Sequence, residues 1–147
     1  MNATYATILV CDDEPHIRQI ISHKLRSAGF TVVEARNGQE ALALLDGGPA
    51  TPLRPNLIIT DLQMPLITGL ELCQVARQRA GTSTTPVLML TARGYVRTDE
   101  DLGRTNIRQV ISKPFGVRQL LERVVKLLME TCPELVPASL RVDSIAA

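Results

Sequence analysis

Aromatic residues are scarce in this chain, at 3% with no tryptophan, so a platform for stacking nucleic-acid bases is not expected. Charge of one sign is missing too. Sixteen basic residues against fifteen acidic ones leave +1, which removes the long-range field of a nucleic-acid or anionic-membrane binder. No apolar run approaches the ~20 residues needed to cross a bilayer. The N-terminal MNATYAT lacks the basic flank and apolar stretch of a signal peptide. Cysteines are few and scattered: Cys11, Cys73 and Cys132 fit neither a disulfide framework nor a zinc site and suit a reducing compartment. These absences predict a soluble cytoplasmic protein with no direct nucleic-acid or membrane contact.

What remains is an ordinary globular composition. The chain has 147 residues, 45% hydrophobic and 21% charged, enough for one domain that needs no metal or disulfide to fold. Short apolar runs alternate with helical periodicity. Ile8 to Cys11, Thr31 to Ala35, Leu57 to Thr60, Val87 to Leu90 and Val110 to Ser112 read as five strands. Helices are expected after Pro15, where Asp13 or Glu14 can cap, after the turn Asn37-Gly38, from Gly69, and over Val117 to Leu128. Gly94 to Gln109 should carry a fourth crossover helix, since parallel strands require one. Its two glycines, many charges and few aliphatic anchors predict a short or irregular one. The domain is expected to occupy residues 1–130, with 131–147, which includes Pro133 and Pro137, as a C-terminal tail or linker. Five βα units give an α/β fold, a three-layer sandwich around a five-stranded parallel sheet.

In open sheets of this kind ligands bind beyond the carboxyl ends of the strands. Four expected strand ends are polar: Asp12-Asp13, Asp61, Thr91 and Lys113. Singly, each has a mundane explanation as a helix cap, a turn former or a solvated strand end. If strands one, three, four and five are neighbours, however, three carboxylates converge and repel unless a cation intervenes. Hard oxygen ligands favour Mg²⁺, completed by phosphate oxygens, and a lysine and a hydroxyl would serve the remaining phosphoryl oxygens. A central aspartate would then be a nucleophile that forms an aspartyl phosphate.

Cys11-Asp12-Asp13-Glu14-Pro15, Thr60-Asp61-Leu62-Gln63-Met64-Pro65 with Gly69, Leu90-Thr91-Ala92 and Ser112-Lys113-Pro114-Phe115 together resemble the receiver domain of two-component response regulators, over about Ala6 to Met129. The resemblance implies a flavodoxin-like (βα)5 fold with strand order 2-1-3-4-5. It implies that Asp61 accepts phosphate from a sensor histidine kinase or phosphotransfer protein, acting as a signalling switch, not a turnover enzyme. Asp13, Asp61 and the backbone carbonyl of Gln63 would bind Mg²⁺, or Mn²⁺ in its place, with Asp12 acting mainly through bound water. Lys113 would pair with phosphoryl oxygens ahead of a cis Pro114, and Thr91 would swing onto the phosphate. Small Ala92 would admit the donor. A downstream protein would read the face made by the fourth helix, strand five and the last helix.

Three departures stand out. Val110 occupies the place of an aromatic that normally couples to the threonine; Tyr95 in the next segment could substitute, but core filling or surface exposure is the expectation for it. The Gly94 to Gln109 stretch is polar where the family has an Ala-rich helix. The Pro-rich loop Gly47 to Pro55 is long, but lies at the sheet end away from the acids. The resemblance implies that Gln63 and Arg93 flank the path of attacking water, although a solvated side chain is the default expectation for Arg93. Rival readings are a phosphate sink or relay, a phosphorylation-independent interaction module, and an aspartyl-phosphate phosphohydrolase. The last typically has a second acid where Gln63 stands. A histidine phosphodonor is disfavoured, because the sequence around His23 lacks the following acid. His16 and His23 are expected on exposed helix positions and Cys11 in the core. Gly47-Gly48 has no following Lys-Ser/Thr, so a P-loop is excluded. Leu140, Val142 and Ile145 could dock on a partner, but a disordered end is the expectation.

Overall fold

Continuous apolar strands need cover on both faces, and the chain supplies it. A computed structural model describes residues 4–92 and 105–141. Strands β1 (Thr7–Cys11), β2 (Thr31–Ala35), β3 (Leu57–Asp61), β4 (Val87–Thr91) and β5 (Ile107–Ser112) form one parallel sheet in the order β2-β1-β3-β4-β5. Helices α1 (Pro15–Ser27), α2 (Gly38–Asp46), α3 (Gly69–Gln78) and α4 (Val117–Thr131) cover it. The expected three-layer α/β sandwich and strand order are both found.

Successive strand side chains point to opposite faces, so each strand feeds two cores. Ile8, Val10, Ile59 and Leu90 join Ile21 and Leu25 of α1 and Leu120 and Val124 of α4. Leu9, Cys11, Ile58 and Met89 join Leu45 of α2 and Leu72 of α3. That division explains why the sequence shows unbroken apolar runs and not alternation.

Local chemistry sets the helix starts. Asn37, expected in a turn, is the N-cap of α2, its side chain accepting from the Glu40 amide at 2.8 Å. Thr68 and Glu71 form a reciprocal capping box on α3. At α1, Glu14 occupies the N-cap but its side chain does not cap. The Glu14 amide instead donates to Asp12 Oδ1 at 2.9 Å, and no side chain caps the helix as Asp13 or Glu14 was expected to.

β5 starts at Ile107, three residues before the expected Val110. It is an edge strand, and the polar Arg108 and Gln109 hide its period. Residues 93–104, which hold Arg93, Tyr95 and most of the expected irregular helix, lie outside the described residues.

Past the expected boundary at residue 130 the chain stays packed on the sheet's helical layer. α4 runs to Thr131, and a 3-10 turn at Pro133–Leu135 follows. There Leu135 accepts a hydrogen bond from the Ala6 amide at 2.9 Å, and Val136 is fully buried. Leu140 packs on the same core. The prolines shape a turn that folds the chain back onto the start of β1, so ordered packing continues through Arg141. Val142 and Ile145 lie outside the described residues. Among the described residues, no helix is long and apolar enough to cross a membrane.

Candidate functional site

Because all five strands run the same way, their carboxyl ends share one edge of the sheet. Asp12 directly follows β1, Asp61 ends β3, Thr91 ends β4, and Lys113 directly follows β5. The register aligns Thr91 with Ser112, and the Lys113 amide donates to the Thr91 carbonyl at 2.7 Å. This brings the four expected residues to one sheet edge. The Lys113–Pro114 peptide is cis, as the resemblance implied.

Lys113 Nζ lies 3.2 Å from Asp12 Oδ2, 3.1 Å from Glu14 Oε1 and 3.4 Å from Asp61 Oδ1. Carboxylate oxygens of Asp12, Asp13, Glu14 and Asp61 all lie within 4.8 Å of one another. Asp12 and Asp61 are buried, while Asp13 and Glu14 are exposed. Glu14 was read from sequence only as a cap. Its adjacency to Asp12-Asp13 was the available signal, but its ion pair depends on a lysine 99 residues away.

Four carboxylates around one ammonium leave uncompensated negative charge, and the proton affinities reflect it. Burial, then the neighbouring Asp12 charge, push Asp61 up to about 6, with Lys113 opposing and Asp13 adding to the rise. Burial raises Asp12 as well, against the pull of the Glu14 amide and of Lys113. Burial alone would lower Lys113, but Asp12, Glu14 and Asp61 hold its ammonium above the ordinary lysine value. A compact set of hard oxygen donors with excess negative charge is what a divalent cation such as Mg²⁺ fits.

Backbone packing fixes the Asp61 end of β3. The Leu62 amide donates to the Leu90 carbonyl, and the Gly69 amide to the Leu62 carbonyl, both at 2.8 Å. A Cβ at Gly69 would collide with the Asp61 carbonyl oxygen, so only glycine lets α3 begin this close. Gln63 lies exposed in the loop that follows.

Beneath the acids, Cys11 is fully buried and its thiol donates to Met64 Sδ at 3.5 Å. Burial pushes that thiol up to about 12, so it is inert packing, as expected. His16 and His23 are exposed on α1. Val110 packs against the core layer shared by α2 and α3. Thr91 Oγ1 is buried with no hydrogen-bond partner among the described residues. That unmet hydroxyl, invisible in the sequence, belongs to the last residue of β4, one strand from Lys113.

Comparison with known proteins agrees with this geometry. A family profile described as "Response regulator receiver domain" matches residues 8–125. The chain is 37% identical over 124 residues to the DNA-binding dual master transcriptional regulator RpaA of Synechocystis sp., covering 84% of this chain and 49% of that protein. It is 34% identical over 127 residues to the phosphate regulon transcriptional regulatory protein PhoB of Pseudomonas aeruginosa, covering 86% and 53%. It thus spans about half the length of the curated relatives it matches. Among solved structures, the chemotaxis response regulator CheY4 of Vibrio cholerae superposes with a TM-score of 0.75 at 34% identity, covering 85% of this chain and all of that one. With the acids, the lysine and the threonine gathered at one sheet edge and the profile spanning most of the fold, the chain belongs to the response regulator receiver domain family.

Proposed function

We propose that this domain is a phosphorylation-controlled signalling switch in which Asp61 is the phosphoacceptor. The observation that carries this is a buried carboxylate at the end of β3, with Lys113 Nζ at 3.4 Å and three further carboxylates alongside. An Asp61 oxygen attacks phosphorus, the bond from phosphorus to the donor imidazole nitrogen breaks, and the imidazole leaves with a proton from solvent. Asp13, Asp61 and the Gln63 backbone carbonyl are the proposed Mg²⁺ ligands, and Asp12 acts through bound water. When bound, Mg²⁺ neutralises charge on the phosphoryl oxygens. Mn²⁺ should substitute.

Lys113 holds a second phosphoryl oxygen after exchanging a carboxylate for it. Thr91 donates its unmet hydroxyl to a third, which gives phosphorylation a contact that the unmodified state lacks. The equilibrium between two forms of the domain shifts by that difference. Val110 is too small to act as a rotating aromatic, so the threonine motion is transmitted by another route.

The donor is proposed to be a sensor histidine kinase or a phosphotransfer protein, and the output a protein that reads the side of the sheet around β5 and α4. The relatives' printed roles in transcription belong to proteins of which this chain covers about half. For this segment, with a net charge of +1, we propose protein contact and no direct nucleic-acid contact. Its three free thiols suit the cytoplasm. A phosphohydrolase would want an acid where Gln63 stands.

The test is incubation with acetyl phosphate and Mg²⁺, read by intact mass. Wild type should gain about 80 Da, the mass of an added phosphoryl group, and Asp61→Asn should not. Equal labelling of both would move the nucleophile elsewhere, and no labelling of either would end the phosphoacceptor reading.

A further inference from the structure

We propose that Arg18 is a positioning residue for the acidic pair, clamping the Asp12–Asp13 peptide so that the Asp13 carboxylate faces Asp61. The inference deepens the proposed phosphoacceptor site and rests on that reading for its functional meaning.

Arginine is seldom buried unless something pairs with it. Arg18 is 8% exposed on the inward face of α1, beside Ile21 and Leu25, where an aliphatic side chain would fill space at less desolvation cost. Its guanidinium is used on two sides. Nη1 donates to the backbone carbonyl of Asp12 at 2.7 Å, and Nε donates to Glu34 Oε1 on β2 at 3.2 Å. Glu34 is itself held by Arg26 Nη1 at 3.1 Å, and Arg26 Nη2 is tied to the Val32 carbonyl at 3.1 Å. A planar fork fixed at two edges can approach the Asp12 carbonyl from one direction only.

The Asp12 carbonyl belongs to the peptide that sets out Asp13. The other polar atoms of Asp12 are already anchored. Its amide donates to the Ala35 carbonyl, Oδ1 accepts from Glu14, and Oδ2 meets Lys113. Arg18 therefore completes the fixing of Asp12 at the one group that governs its neighbour. Asp13 is exposed, so its place in the cluster follows from this peptide. The side chain touches no reacting atom, and its effect passes through the backbone.

The test uses the whole chain with Mg²⁺ alone as probe. Arg18→Met, Arg18→Lys and Glu34→Gln are compared with wild type by amide NMR titration, at a temperature where each is folded. The ¹³C shift of the Asp12 carbonyl is recorded without metal. Arg18→Met should weaken Mg²⁺ binding about tenfold, the low end for loss of an outer support of metal ligands. It should also move the Asp12 carbonyl shift. Arg18→Lys should fall between it and wild type, because an ammonium can reach the carbonyl but cannot also engage Glu34 as a fork. Glu34→Gln should do less. A lower unfolding midpoint with unchanged Mg²⁺ affinity and carbonyl shift would make Arg18 merely structural and overturn the proposal. Should Arg18→Met fail to fold, wild-type affinity and carbonyl shift in Arg18→Lys overturn it equally. If wild type fails to bind Mg²⁺, the reading of the site falls, whereas the metal-free carbonyl shift still decides whether the clamp exists.

Discussion

Lys113 Nζ stands 3.4 Å from Asp61 Oδ1 while also touching Asp12 and Glu14, so one cation is divided among three carboxylates. The cluster is under-neutralised before any ligand arrives, and Asp61 bears the cost because it is buried. Asp61→Asn removes one charge and keeps the shape. Metal-free Asp61→Asn should be more stable than wild type at pH 7 by about 1–3 kcal/mol, the scale of relieving one buried like-charge repulsion. Urea unfolding with an unchanged slope reads this directly. A variant less stable than wild type would mean that Lys113 already compensates Asp61.

The same imbalance fixes a pH dependence. Asp61 titrates near 6 in the folded protein, above the ordinary value of 3.8. Between those values the folded state holds a proton that the unfolded chain has lost, so this group's contribution to stability falls as pH rises from about 4 to about 6, then levels off. Its full size is about 3 kcal/mol. Subtracting the Asp61→Asn profile from that of wild type isolates it. The gap should open across that window and stay constant above pH 7. A gap that narrowed with rising pH would reverse the sign. Mg²⁺ affinity should also weaken below pH 6, as protons compete for the same oxygens.

Thr91 spends stability on a hydroxyl that is buried and unmatched among the described residues. Thr91→Val keeps the branched shape and removes the unmet group. The unphosphorylated variant should therefore unfold at an equal or higher urea concentration, with a gain of up to about 1 kcal/mol. Asp61 should still accept phosphate, but the NMR shifts that follow phosphorylation should shrink around β4 and β5. A loss of more than 1 kcal/mol would show that the hydroxyl already has a partner.

Gly69 starts α3 against the carbonyl of Asp61. Gly69→Ala inserts a methyl where backbone stands, and backbone cannot rotate aside as a flexible side chain does. The expected loss is about 2 kcal/mol or more, in the range of overpacking, with displaced amide shifts at Asp61 and Leu62. Gly116→Ala is the control, since its nearest neighbours lie at ordinary contact distance from an added Cβ.

How much of this was legible in the sequence depended on how each residue is used. Ile8 to Cys11, Leu57 to Thr60 and Val87 to Leu90 declared themselves as strands because both faces are covered, and the polar groups just beyond them marked one sheet edge. Only the second half of edge strand β5 is legible, since Arg108 and Gln109 carry no apolar signal. Glu14 looked like a cap because its partner Lys113 is distant in sequence. Arg18 looks like any helical arginine, since its burial follows from its partners on β2 and at the end of β1. The unmet hydroxyl of Thr91 is a property of its surroundings alone. Val136 stands between Leu135 and Pro137 in a proline-spaced stretch without helical or strand period, so nothing in the pattern marked it as core.

That last residue gives a direct measure of where the folded unit ends. Val136 is fully buried against the layer formed by α1 and α4, and the carbonyl beside it, at Leu135, satisfies the Ala6 amide at the entrance to β1. Val136→Ala should cost about 2 kcal/mol, between the losses typical of Ile→Val and Leu→Ala in cores. Ending the chain after Thr131 should cost more than that, since it strips cover from the core and strands the Ala6 amide without a partner. Both are read from urea midpoints, with the phosphorylation site left intact as an internal reference. If the shortened chain unfolded at the wild-type midpoint, the packing of residues 132–141 would be ornamental and the domain would end with α4.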